Sequence, residues 1–404
     1  MAKSQDKSVR KRRVFYIPGY DPIHPRRYRE LYRKEGAAQG AISGYEVLLT
    51  AKPGGANYGW TVNGRIGGAD TQADFEVLVW SDIVRDSMAT SIPGTYWQLA
   101  KTAWVYIATG TLWRLMRMRK GPVIAALYPV GMLLIQALIA GLLAWGLGSL
   151  AAQYLHPWVG WAAAVPVIVV VLRWFRAKDA KLFAYYLMHD YAYSAQSGGA
   201  NPPQLEARMA QFAQAIEKAL HEEVDEVLVV GHSSGAHLAV SILADLIRQG
   251  RVPTHGPTLS FLSLGQVVPM VSFLPRADRL RADLAFLSVQ KGLTWVDVTA
   301  PGDGCAFALC DPVAVSGVAP QGQLWPLVIS AAFTQTLSAA RWKELRWRFF
   351  RLHFQYLCAF DRPGDYDYFL ITAGPFTLGA RYDGRQASKS RIVTPLSRFR
   401  TMEI

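Results

Sequence analysis

The order of apolar and polar positions divides the chain into three stretches. In the first, a short apolar run, Val14-Phe15-Tyr16-Ile17, meets Pro18-Gly19 and predicts a strand ending in a turn. The spacing over 25–38 predicts a basic amphipathic helix. YEVLLTAKPG from Tyr45 and DFEVLVWSDIV from Asp74 predict two more strands. Between them, the Gly/Asn-rich stretch Gly54–Gly68 predicts a loop or small hairpin. A helical pattern rich in Trp, Tyr and Leu runs from about Pro93 to Lys120. In the third stretch the pattern predicts a helix over 203–222, a strand over 225–230, a helix over 236–249, a strand over 258–264, a helix over 276–288 and a strand over 293–298. Strands alternating with helices imply an α/β domain, a mainly parallel sheet flanked by helices.

The middle stretch breaks that alternation. Between Lys120 and Arg173 there is no Asp, Glu, Lys or Arg. A buried helix of a soluble core seldom exceeds about 14 uninterrupted apolar residues, and a bilayer span needs about 20. Gly121–Leu172 holds two such segments, roughly 123–150 and 158–174, separated by AAQYLHPW. The second is short and contains Pro166, so spanning and re-entrant forms both stay open. Arg114, Arg117, Arg119 and Lys120 precede the block; Arg173, Arg176, Lys178 and Lys181 follow it. The connecting loop has no cation, so the positive-inside rule puts both ends in the cytoplasm, at a membrane of the bacterial inner-membrane type. Trp145, Tyr154, Trp158, Trp161 and Trp174 are candidate interfacial anchors. Ala137, Gly141, Ala144 and Gly148 form a small-residue face on which a second helix can pack, and which permits a homodimer. The chain thus reads as a basic tail (1–12), a first part of the α/β domain (13–112), an inserted membrane-associated helical hairpin (113–182) and a second part (183–404).

Composition agrees with this division. The 404 residues can bury a sizeable core, and the 51% hydrophobic content is concentrated in the uncharged block. The net charge of +13 suits an anionic partner. With no nucleic-acid signature and cations clustered beside the hairpin, that partner is a lipid bilayer rather than nucleic acid. Cys305, Cys310 and Cys358 are too few for a disulfide framework and have no zinc spacing, so they read as free thiols. MAKSQDKSVRKRR is followed by no secretory apolar region, which leaves the body of the protein in the cytoplasm.

The candidate chemistry lies in VLVVGHSSGAHLAV, Val227–Val240, where Gly231-His232-Ser233-Ser234-Gly235 fits G-x-S-x-G. A β-branched run precedes it and an apolar helical pattern ending at Gly250 follows it. Strand, tight glycine turn, helix is the context in which such a serine stands exposed at a sharp elbow. Here the chain resembles the α/β-hydrolase superfamily of lipase- and esterase-like serine hydrolases, over perhaps Val14–Gly374 minus the insertion. The resemblance implies a triad in the order Ser, acid, His. Ser233 is then the nucleophile, and Asp303, in the loop after the 293–298 strand, is the favoured acid, with Asp297 and Asp311 as alternatives. His353, near the end of an expected strand, is the base, being the last histidine in the chain. An oxyanion hole would take one N–H from Ser234 and another from the loop after the first strand. Pro18 has no N–H, so Gly19 or Tyr20 supplies the second. His232 packs against or shapes the elbow, and His237, on the first helical turn, reads as a semi-exposed or packed residue.

Neither H-E-x-x-H nor G-x-x-x-x-G-K-[ST] occurs, so no metal and no cofactor is implied. The constellation predicts a membrane-anchored serine hydrolase cleaving a lipid-like ester through a seryl-acyl intermediate. An acyltransferase with the same triad, and an inactive hydrolase-fold membrane scaffold, remain as alternatives.

Overall fold

The computed structural model describes residues 8–52, 57–88, 91–154 and 156–403. Its centre is an eight-stranded sheet: β1 Lys11–Ile17, β2 Glu46–Ala51, β3 Gly59–Ile66, β4 Ala69–Val77, β5 Glu226–His232, β6 Thr258–Leu264, β7 Leu293–Thr299 and β8 Leu327–Ser330. The order is β2-β3-β4-β1-β5-β6-β7-β8. β2, β3 and β4 form an antiparallel meander, and every pairing from β4 through β1 to β8 is parallel. The fold is therefore α/β with a mostly parallel sheet.

Strand periodicity builds two cores, one on each face. Phe15 and Ile17, Val227 and Val229, and Leu293 and Trp295 point into one core. Val14 and Tyr16, Leu228 and Val230, and Val296 and Val298 point into the other. Strands covered on both faces lose the apolar/polar alternation, which is why VLVV reads as a continuous run.

The helices up to the middle of the chain are α1 Arg26–Ser43, α2 Ser81–Ser87, α3 Ile92–Ala108, α4 Thr111–Met118, α5 Lys120–Tyr154, α6 Pro157–Ala177, α7 Asp179–Leu182, α8 Ala184–Gln196, α9 Pro203–Leu220 and α10 Gly235–Arg248. α1 lies on the second core through Tyr28 and Tyr32, and α9 and α10 cover the first.

One local expectation fails and another holds only in part. Ser81-Asp82-Ile83-Val84 continues no strand: β4 ends at Val77 and these residues open α2, with Asp82 in its first turn, where the helix dipole favours an acid. The stretch expected as a loop or small hairpin contains all of β3, whose inward Trp60 and Val62 are buried against the second core. Its hairpin with β4 turns on Gly67 and Gly68, at φ +61° and +80°. Only glycine holds such angles without strain.

α5 and α6, of 35 and 21 residues, are long and apolar enough to cross a membrane. At 1.5 Å per residue they extend about 52 and 32 Å. Their surface inverts that of a soluble helix. Leu134, Leu138, Leu142, Trp145 and Leu150 are exposed, whereas Ala140, Ala144 and Gly148 are buried. The first turns of α5 belong to the body: Leu133 packs with Leu99 of α3 and Met188 of α8.

α5 and α6 meet where Gly148 faces Gly160. A Cβ on Gly160 would come within 2.5 Å of the Gly148 carbonyl. This corrects the small-residue face. The contact follows steps of four, Ala140-Ala144-Gly148, and Gly141 looks outward with nothing within 4 Å of a Cβ built there. Trp145, Tyr154, Trp158, Trp161 and Trp174 are all exposed.

Candidate active site

The site forms where the strand order reverses. From β1 the chain turns toward β2, and from β5 it turns the other way, toward β6. The carboxyl ends of two such neighbours leave a crevice between diverging connections, the usual ligand position in open α/β sheets. Ile17 pairs with Gly231, so the loop after β1 and the elbow after β5 emerge side by side.

The elbow is built by close approach. A Cβ on Gly235 would lie 2.1 Å from the Ile17 carbonyl oxygen, and one on Gly231 would lie 2.7 Å from Ala236 Cα. Backbone cannot yield at those distances. Gly235→Ala is therefore expected to destabilise the protein by about 3 kcal/mol or more, read by thermal unfolding. Ser233, between the two glycines, has φ +56°. A serine in left-handed geometry costs about 1–3 kcal/mol, and such residues cluster at functional sites. Its N–H is fixed by the Leu264 carbonyl at 2.9 Å.

Gly19 abuts the serine. A Cβ there would stand 2.9 Å from Ser233 Cβ and 3.3 Å from its Oγ. Trp80 Nε1 donates to the Pro18 carbonyl at 2.9 Å and steadies the loop. The N–H groups of Gly19, Tyr20 and Ser234 donate to no acceptor among the described residues. The Tyr20 side chain points away, with its hydroxyl on Ser87 at 2.6 Å.

Asp303 and His353 meet 50 residues apart in sequence. His353 Nδ1 lies 2.7 Å from Asp303 Oδ2. Tyr356 donates to the same oxygen at 3.0 Å, and the Cys305 N–H donates to Oδ1 at 2.8 Å. Burial pushes the Asp303 carboxyl up. The adjacent His353 with its hydrogen bond, and the two further donors, outweigh burial and hold it below the ordinary range. An ionised Asp303 accepts the Nδ1 proton, which leaves the Nε2 lone pair open. Nε2 is buried and has no partner among the described residues. Nε2 and Ser233 Oγ are therefore not hydrogen-bonded, although both residues line one cleft. Serine–base contacts are commonly loose before substrate binds.

His353 closes a short helical turn, Phe349–His353, and is not in a strand. The R-F-F-R-L-H-F pattern is short enough to suit either period. His232 donates Nε2–H to the His353 carbonyl at 3.1 Å, since a carbonyl only accepts. Burial and the nearby His353 lower its pKa to about 3, so it remains neutral. His237 is buried, and burial lowers it to about 4.

The alternative acids stand elsewhere. Asp297 is buried inside β7 and accepts from Ser263 at 2.6 Å. Asp311 accepts from the N–H groups of Val313 and Ala314 and starts a helical turn. Cys305 offers a sulfur within 4.8 Å of the Asp303 and His353 ligand atoms. Burial and Asp303 push that thiol up, so it stays protonated as a wall group, and the pair itself is a hydrogen-bonded couple.

The cleft holds about 620 Å³, its open mouth included. Ser233, Ser234, Cys305 and His353 line it together with Tyr106 of α3, Pro122 of α5 and Asp190 of α8. Asp190 escaped the sequence reading. Its one signal is that it is the sole charged residue in Ala184–Ala200.

No family model, no curated protein and no solved structure matches this chain.

Proposed function

We propose that the protein is a membrane-anchored serine hydrolase of the α/β-hydrolase type that cleaves a lipid-like acyl ester at the cytoplasmic face. The carrying observation is the strained Ser233 beside a cleft-facing His353 whose other nitrogen is held by Asp303. In this reading His353 Nε2 takes the Ser233 hydroxyl proton as Oγ bonds to the ester carbon. The carbonyl oxygen becomes an oxyanion, stabilised by the N–H groups of Ser234 and of Gly19 or Tyr20. Collapse breaks the bond to the leaving alcohol, which receives the proton from His353. Water then gives a proton to Nε2 as it attacks the acyl-serine, and the C–Oγ bond breaks with His353 returning that proton to Ser233, which releases the acid. Backbone strain at Ser233 would be idle in a scaffold, which favours the hydrolase reading.

The membrane part rests on placement. Pro122, at the root of α5, stands on the cleft wall, so the cleft opens at the foot of the hairpin. Trp97, Trp104, Trp113 and Trp347 are exposed, and the cations that flank the hairpin support a cytoplasmic side by the positive-inside rule. A lipid ester would reach Ser233 without leaving the bilayer surface.

Excision of Ala137–Val171 leaves the packed root of α5 in place. The variant is expected in the supernatant after ultracentrifugation, cleaving a soluble butyrate ester while losing most cleavage of an acylglycerol held in vesicles. Retention on membranes at high salt would contradict the anchoring role. Inactivity of the full-length protein on both esters would contradict the hydrolase reading.

A further inference from the structure

Asp190 has no place in the chemistry above, yet it shares a cleft with Ser233 and His353. It makes no hydrogen bond or ion pair among the described residues, and it lines the cleft together with His353. Burial pushes it up to about 7. The carboxyl is half-buried in the cleft and unpaired there, and a ligand that excludes water from the cleft while hydrogen-bonding it is favoured over one that cannot. Tyr191 and Ser194 of the same helix add hydroxyl groups to the wall. Among the described residues no Lys or Arg lines the cleft. An ionised Asp190 repels a phosphate or a carboxylate, and the His353 imidazole is committed to Asp303 and to the serine proton.

We propose that Asp190 is a specificity residue that accepts a hydrogen bond from a free hydroxyl beside the scissile ester, so that the site selects neutral hydroxylated acyl esters, of the acylglycerol type, over phosphate-bearing lipids. The inference rests on the hydrolase reading and goes further by assigning the alcohol side of the substrate. Asp190 and Ser194 are one turn apart on α8, so two adjacent substrate hydroxyls can each find a partner. The anionic bilayer is then where the enzyme docks, and the uncharged ester is what it cleaves.

The test is a ratio of kcat/KM values, octanoylglycerol over its di-O-methyl ether, for the full-length protein in detergent. Wild type is expected to favour the hydroxylated ester by about 10- to 100-fold, the range of a buried hydrogen bond to a polar partner. Asp190→Asn keeps an acceptor oxygen and is expected to retain most of that ratio. Asp190→Leu is expected to bring it near one. A wild-type ratio preserved in Asp190→Leu overturns the assignment, because a merely structural residue would lower both rates together. Faster cleavage of octanoylcholine than of octanoylglycerol, lost in Asp190→Asn, also overturns it, in favour of an ammonium group. Fluorophosphonate labelling of wild type separates the two levels. A protein that labels but shows no hydroxyl preference refutes this inference alone, and one that neither labels nor cleaves refutes the hydrolase reading with it.

Discussion

Replacing Ser233 with alanine is expected to lower ester turnover about a million-fold, to the level supplied by binding and the oxyanion donors alone. The fold should be untouched. Alanine and serine suffer the same Cβ clash at φ +56°, so the strain is neither relieved nor increased. Glycine behaves differently. Ser233→Gly removes the nucleophile and the clash together, so it is expected to be equally inactive and more stable by about 1 kcal/mol. An inactive but stabilised glycine variant is what a nucleophile elbow requires, since the strain is kept for chemistry. Unchanged turnover in either variant, followed with a chromogenic ester, would remove Ser233 from the mechanism.

Asp303→Asn is expected to cost about ten-thousand-fold in kcat, by a specific route. The Cys305 N–H donates to Oδ1, so the asparagine oxygen is retained at that position. The amide nitrogen then replaces Oδ2 and donates to His353 Nδ1, where the carboxylate had accepted. The imidazole proton moves to Nε2, the atom that must be bare to accept from Ser233. Tyr356 can turn its hydroxyl to accept from the new amide, so stability should change little. Raising the pH cannot restore that tautomer. The deficit should therefore persist across the pH range, measured as kcat against pH. A loss recovered at high pH would mean that Asp303 only tunes the basicity of His353.

The elements that carry this account differ in how far the sequence shows them. The elbow was legible because its constraint is local: Gly231 and Gly235 stand where a Cβ would strike backbone within a few residues or in the adjoining loop. Asp303 and His353 were legible through chain order alone, and their 2.7 Å contact depends on tertiary structure. The helical state of His353 was hidden by a pattern too short to define a period. β3 was hidden because it is glycine-rich and its burial comes from α1 and the C-terminal helices. The central place of β1 was not legible, because parallel pairing leaves no local signature. The hairpin was visible from its missing charges, but not which small residues would face the partner helix: that depends on where Gly148 meets Gly160. Asp190 was missed for the opposite reason. Nothing in its neighbourhood is unusual except the absence of other charges.

The central claim is that Ser233 is activated by His353. The most direct measurement is intact-protein mass after reaction of the detergent-solubilised full-length chain with a fluorophosphonate, with peptide mapping of the adduct. A single adduct on the Ser233 peptide, absent in Ser233→Ala and strongly slowed in His353→Ala, is the predicted result. An adduct on another residue, or one on Ser233 that forms equally fast without His353, would contradict the account.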